Sequence, residues 1–466
     1  MLRWIDRVRN LFEGGIIVRL SGPPTKSLSH SIPEMETVGR LNVFQRLIRQ
    51  WDRLHPYNVV QMLKVRGSLN IETLRSAWHD AMQSLGLGLV AVAGNSYRFE
   101  CLNGQAVHHT VRLCPADTNL EDWISDELNT PFDPKETAPF RPFALAGDGY
   151  FWMGFSYQHW VTDNAGVRMV MREWFVRMFD PSAASQQPVR PRSAGYLSLF
   201  NPHRSGWHPG EALLSSLRWQ SQLRRVRRIE NPQSFSDLSV RSLIMQSPDG
   251  LIDGLCRAAR ARGVTVNDLL MAALAEGCDQ FVPVKRRYHR RDLAVGTIVD
   301  LRSKSDRQLD DVFCPLLGFA SVSCRPGTLN NWDRLLSSIA FQTRRQKRTG
   351  VPQYSWLRML AGLAAGKMLS REEILTFYRK RVSLAGACTN VNMNRSWALR
   401  YYLDPILEYV RAAPTGPITP LVIAATTLGH RLSLTLTYRT AILSHDRAAA
   451  LAENVLDRLQ HVAAQD

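Results

Sequence analysis

In the stretch "GYFWMGFSYQHWVTDNAGVRMVMREWF", Gly149 to Phe175, an apolar run stops at a histidine and an aspartate follows four residues later. An imidazole with an ordinary pKa of about 6.5 is largely neutral at physiological pH, so His159 can act as a general base toward a hydroxyl or an amine. Asp163 need not relay charge. Its carboxylate can turn onto an arginine or onto backbone N–H groups and hold the loop in shape. Plainer readings exist for both residues. A strand-end histidine can simply be a satisfied structural residue, and Asp163 can be a helix N-cap, a role that Thr162 and Asn164 also suit. Spacing alone leaves these readings open.

The surrounding elements decide what such a pair could do. Nearly every position from Tyr150 to Tyr157 is apolar, as in a strand buried on both faces. After Asp163, residues Val167, Val170, Met171, Trp174 and Met178 recur at helical spacing. His159 is thus expected where a buried strand emerges, a place where pockets open. Upstream, "YNVVQMLKVRG" reads as a strand and "NIETLRSAWHDAMQSLG" as a helix with Asn70 as N-cap and Gly86 as stop. "YRFECLNG" and "HHTVRLC" read as short strands, and "LEDWISDELNTPF" as a helix.

Between 181 and 238 the composition shifts to "PSAASQQPVRPRSAG" and then to a basic stretch, which predicts a linker between two halves. The second half opens with helices at about 247–262 and in "GVTVNDLLMAALAEGCDQF", followed by a strand in "RDLAVGTIVDLR". In "HRLSLTLTYR", Leu432, Leu434, Leu436 and Tyr438 alternate with Ser433, Thr435 and Thr437, which predicts a half-buried strand. A last helix begins near Ser444. The expected layout is a leader over 1–38, an N-terminal subdomain over 39–180, the linker over 181–238 and a C-terminal subdomain over 239–466. Strands and helices mix without the alternation of a doubly wound fold, so the class is an α/β sandwich of two parts.

Composition sets limits. The 466 residues are 45% hydrophobic and 21% charged, ample for a large core. Lys and Arg exceed Asp and Glu by 58 − 41 = 17. That surplus favours anionic partners: an acidic carrier protein, a phosphate-bearing cosubstrate, acidic lipid or nucleic acid. The seven cysteines are scattered without metal-ligand spacing, so no metal site and no disulfide framework is expected. No apolar run reaches the roughly 18 residues of a membrane span, and no secretory signal is evident, so a cytoplasmic protein is expected. In "MLRWIDRVRNLF" the apolar residues Leu2, Ile5, Val8, Leu11 and Phe12 follow helical spacing with arginines on other faces. Such a helix either packs on its own domain or lies on an anionic membrane surface.

Several segments, in order, resemble the condensation-domain-like acyltransferase superfamily, which includes nonribosomal-peptide condensation domains, wax-ester synthase/diacylglycerol acyltransferases and chloramphenicol acetyltransferase. "HPYNVVQMLKVRGSLNIETLRSAW" is similar to its opening strand and helix, and "ELNTPFDPKETAPFRPFAL" to the segment before its active-site strand. "QHWVTDNAG" stands where the superfamily has HHxxxDG, "GVTVNDLLMAAL" where it has a Thr-x-Asn-Asp helix, "GTIVDLRSK" where a strand ends in arginine, and "ACTNVNMN" where a Ser-Asn-Val type segment is found. The resemblance spans roughly residues 40 to 460. It implies two chloramphenicol acetyltransferase-like subdomains with a central active-site tunnel. No cofactor would be bound. An acyl thioester on CoA or on a carrier protein's phosphopantetheine arm would be the cosubstrate, with a small-molecule hydroxyl or amine as acceptor. By the same resemblance His159 is the base or the group that orients the acceptor, Asp163 and Gly166 are structural, and Arg302 is a candidate partner for Asp163. Asn390 is a candidate donor to an oxyanion or substrate. Alternatively, Arg302 lies on the surface at a strand end, and Asn390 merely satisfies backbone groups.

The chain departs from the pattern. Gln158 replaces the first histidine and Asn164 replaces the glycine, with a glycine only at Gly166; asparagine tolerates a left-handed backbone better than most residues. "SLGLGLVAVAG" stands where condensation domains carry an Arg-His element, which argues against an ordinary peptide-bond-forming domain. The leading expectation is therefore an acyl-thioester-dependent acyltransferase. The rivals are a free-standing condensation enzyme using carrier-bound groups and an inactive binding module. Three basic stretches, Arg218 to Arg228, "KRRYHRRD" and "QTRRQKR", read either as solvated faces or as a docking surface for a carrier or CoA. No nucleic-acid motif accompanies them.

Overall fold

A computed structural model of the chain describes residues 39–102, 105–133, 138–184, 192–196, 225–227, 237–281, 291–302, 312–381, 384–395 and 405–465, with a few isolated positions between 210 and 222. The basic helix expected at 1–12, the leader, most of the 181–238 linker and most of "KRRYHRRD" lie outside these residues.

The apolar run runs from Tyr150 to Gln158 as the middle strand of a five-stranded sheet, in the order Ile406–Ala412, Asn58–Arg66, Tyr150–Gln158, Phe140–Ala146 and Arg112–Leu113. Both of its faces are covered. Phe151, Met153, Phe155 and Tyr157 join one core. There the helices Ile71–Leu85 and Asn164–Phe179 meet, with the rings of Trp78 and Trp174 4.8 Å apart. Trp152 joins a second core with Ile124 and Leu128 of the helix Leu120–Asn129. Gly154 lets the neighbouring strand close in: a Cβ there would stand 2.7 Å from the Gln61 carbonyl oxygen. Asn70 caps the helix Ile71–Leu85, and Gly86 ends it in the left-handed conformation that its φ of 62° requires.

The second sheet has six strands, in the order Leu317–Cys324, Leu293–Asp300, Gly386–Asn392, Leu421–Leu428, Arg431–Arg439 and Val240–Met245. Gly386–Asn392 pairs in parallel with both its neighbours, and the other pairings are antiparallel. The helices Leu251–Ala261, Val266–Phe281, Trp332–Arg348 and His445–Ala464 bury their apolar faces together with those of Val295, Ile423 and Leu434. Gln342 and Gln346 of Trp332–Arg348 bond to the backbone of Ser323 and Ser321, satisfying the outer edge of Leu317–Cys324.

Two features go beyond the sequence reading. The alternation in 430–439 predicts one wet face, yet Ser433, Thr435 and Thr437 are as buried as the leucines between them. The strand Ile406–Ala412 crosses that polar face, bringing Glu408 to Ser433 and Arg411 to Thr426 on the next strand. The same strand belongs to the five-stranded sheet, where it pairs with Asn58–Arg66. The second half of the chain thus contributes a strand to the first sheet, and the two halves are interleaved.

Candidate active site

The residues around His159 are placed by a strand end, a turn and a helix start. The strand Tyr150–Gln158 ends one residue before His159, whose backbone N–H still bonds to the Tyr57 carbonyl at 3.2 Å. Asp163 then caps the helix Asn164–Phe179 by accepting from the Ala165 N–H at 3.0 Å. Its other carboxylate oxygen accepts from Arg302 Nη1 at 2.6 Å and from the Leu316 N–H at 3.0 Å. Asp163 is fully buried, and the Arg302 side chain is 9% exposed. Arg302 also donates through Nη2 to the carbonyls of Cys314, at 2.8 Å, and Val312, at 3.2 Å. Burial alone would raise the Asp163 carboxyl, but the Arg302 charge and these hydrogen bonds outweigh it and hold it below the usual carboxylate range. Asp163 is therefore both helix cap and ion-pair partner, while the imidazole Nδ1 bonds to another group.

That nitrogen is fixed by the turn. His159 Nδ1 lies 3.1 Å from the Thr162 carbonyl oxygen, an acceptor, so Nδ1 carries the proton and Nε2 keeps its lone pair. Tyr57 stacks on the ring, with centroids 5.8 Å apart and planes within 4°, and Phe44 and Tyr157 meet its edge. Burial lowers the His159 pKa; the Thr162 bond and the Asp163 charge oppose this, and the Arg411 charge reinforces it. The ring is held neutral.

Gly166 and Asn164 complete the turn. A Cβ on Gly166 would stand 2.1 Å from Thr162 Oγ1 and 2.8 Å from the Phe313 ring, so only glycine lets the helix start this close to its own turn. Asn164 is the first helical residue and needs no left-handed backbone; its side chain accepts from Gln61 Nε2 at 3.2 Å. Gln158 accepts from the Trp160 indole at 2.7 Å.

A cavity of about 620 Å³ opens beside this turn, lined from both halves of the chain. His159, Asp163 and Asn390 all border it, with Asn390 on the strand Gly386–Asn392; Gly166 and Arg302 do not line it and instead pack against the turn, Gly166 against Thr162 and Arg302 on Asp163. Cys388 is the cysteine on its wall, and burial pushes that thiol up to about 12, so it remains protonated. The Thr-x-Asn-Asp segment positions the wall. Asp268 exchanges capping bonds with Thr265 and accepts from Thr343 at 2.7 Å, while Asn267 accepts from Thr297 of the cavity strand Leu293–Asp300 at 3.4 Å.

Sequence reasoning missed several cavity residues. The helix Val43–Asp52 supplies Phe44, Leu47 and Trp51, and its start was legible as a capping box between Asn42 and Gln45. Gln45 also bonds to the Trp160 carbonyl at 3.2 Å, steadying the turn. Tyr57 carried no signal beyond its aromatic character. Arg411 carried only the oddity of a charge in an apolar strand. Among the described residues no cluster of His, Cys, Asp and Glu could hold a metal, and no helix is long and apolar enough to cross a membrane.

No family model matches the chain, and no curated protein matches it. Solved structures do. The condensation domain of the Monacolin K polyketide synthase MokA aligns with a TM-score of 0.62 at 11% identity, over 91% of this chain and 97% of that one. The X-domain from teicoplanin biosynthesis aligns at 0.59 and 16% identity, over 95% and 97%. The epimerization domain from the third module of tyrocidine synthetase B aligns at 0.58 and 12% identity, over 94% and 99%. The chain has the two-subdomain condensation-domain fold. Condensation and epimerization domains share that fold, so the fold by itself does not choose a reaction.

Proposed function

We propose that the protein transfers an acyl group from a thioester, carried on CoA or on a carrier protein's phosphopantetheine arm, to a hydroxyl or amine acceptor. The observation that carries this reading is the state of His159: Nδ1 donates to the Thr162 carbonyl, which leaves Nε2 as an acceptor on a ring that borders the cavity and is kept neutral. In the proposed reaction Nε2 takes the proton of the acceptor as its oxygen or nitrogen attacks the thioester carbonyl. The tetrahedral oxyanion collapses, the C–S bond breaks, and the imidazolium returns the proton to the departing thiolate. Asn390 is the proposed donor to that oxyanion.

A thioester is already activated, so no acyl-enzyme is needed, and the protonated Cys388 suits such a direct transfer. The likeness to condensation domains supports a carrier-bound donor. So does the helix Trp332–Arg348, whose last turn carries the exposed Arg345, Lys347 and Arg348, a surface suited to an acidic carrier or to CoA phosphates. The test is intact mass and thiol release with acyl-CoA and acyl-carrier donors. Acceptor-dependent thiol release without a persistent acyl adduct on the protein is expected. A stable acyl adduct on a cysteine or serine would overturn direct transfer.

A further inference from the structure

Among the charged residues that line the cavity, Arg411 has the most telling surroundings. It sits on the crossing strand Ile406–Ala412 and is 5% exposed. Its Nε donates to Thr426 Oγ1 at 2.7 Å, and its Nη2 donates to the carbonyls of Ala425, at 2.7 Å, and Thr389, at 3.3 Å. All three acceptors are neutral, and among the described residues no carboxylate meets Arg411. A buried cation without a counter-charge is costly, and neutral acceptors offset only part of that cost. The three bonds orient the guanidinium and leave Nη1, with two N–H groups, as the unbonded end of a side chain that borders the cavity. Arg411 and His159 line the same cavity, and the Arg411 charge adds to the burial that lowers the basicity of the ring.

We propose that the acceptor is an acid: a hydroxyl or amine compound bearing an oxyanion head, carboxylate or phosphate, that binds Arg411 Nη1 while its nucleophile lies on His159. This rests on reading His159 as the acceptor's base. A planar fork of N–H donors pairs well with such a head, and bonds to a charged acceptor are the stronger kind. A neutral analogue would leave the cation unmatched.

Binding can be measured without a donor, so this test does not depend on turnover. By calorimetry the unaltered protein is titrated with aliphatic and aromatic hydroxy acids and amino acids, each beside its primary amide, and with glycerol 3-phosphate beside glycerol. The acid of at least one pair should bind about 10–100-fold more tightly than its neutral partner. A carboxylate or a phosphate winner identifies the head. Arg411→Gln, checked for folding by its melting curve, should erase that preference, while Arg411→Lys should keep part of it. Equal binding of acid and amide across the panel, or an undiminished preference in folded Arg411→Gln, would overturn the proposal. So would a preference that follows a terminal carboxylate on the acyl donor, measured with succinyl-CoA against butyryl-CoA. Acid-selective binding without any acyl transfer would leave the anion site standing and remove the proposed reaction instead.

Discussion

His159 combines three local constraints, and each has a measurable consequence. The Thr162 carbonyl fixes the tautomer, Tyr57 stacks on the ring, and burial depresses the pKa from the ordinary 6.5. The active form of a base is the neutral one, and a depressed pKa keeps it neutral to lower pH. The acid limb of a kcat/KM profile should therefore lie below pH 6.5; a limb at or above that value would show a ring more exposed or more strongly paired than the geometry gives. Stability should move in the same direction, because below about pH 6.5 the unfolded chain takes up a proton that the folded one refuses. Of these constraints only the histidine itself was legible in the sequence. Its spacing to Asp163 could not distinguish a base from a structural residue, because the distinction lies in which atom Nδ1 meets.

The turn from Gln158 to Gly166 and its anchor at Arg302 behave as one unit. Asp163 and Arg302 are buried together, so removing either leaves the other uncompensated. Asp163→Ala or Arg302→Ala should each lose about 3–5 kcal/mol in denaturant unfolding, well beyond any loss of a surface pair. A stable, inactive Asp163→Ala would contradict an anchoring role. Gly166→Ala should cost about 1–3 kcal/mol, because the added methyl meets Thr162 and Phe313. The strand Tyr150–Gln158 and the helix after it were readable because apolar runs and helical spacing are local signals. So was the helix Ile71–Leu85, with its Asn70 cap and Gly86 stop. The crossing strand Ile406–Ala412 was not. Its partners, Asn58–Arg66 and the polar face of Arg431–Arg439, lie far away in sequence or were read as wet. Arg411 was invisible as a site residue for the same reason.

The interleaving of the two halves puts the candidate site between them, with His159 from the first and Asn390 and Arg411 from the second lining one cavity. The general plan was legible because several motifs occur in order along the chain. The excess of basic residues could not be assigned to a partner from composition; the basic turn Arg345, Lys347 and Arg348 is the proposed docking surface for a carrier or CoA. Reversing those three charges to glutamate should lower kcat/KM for a carrier-bound donor by about 10-fold or more, with little change in kcat, and the effect should shrink at high salt. Unchanged kcat/KM would remove that turn as a docking surface. The central claim is acyl transfer with His159 as base, and single-turnover transfer by wild type and His159→Ala, with thioester donors and pooled hydroxyl and amine acceptors, tests it most directly. The account predicts an acyl product whose rate falls by roughly 10²–10⁴ in a variant that melts like wild type. Equal rates in the two proteins would contradict it.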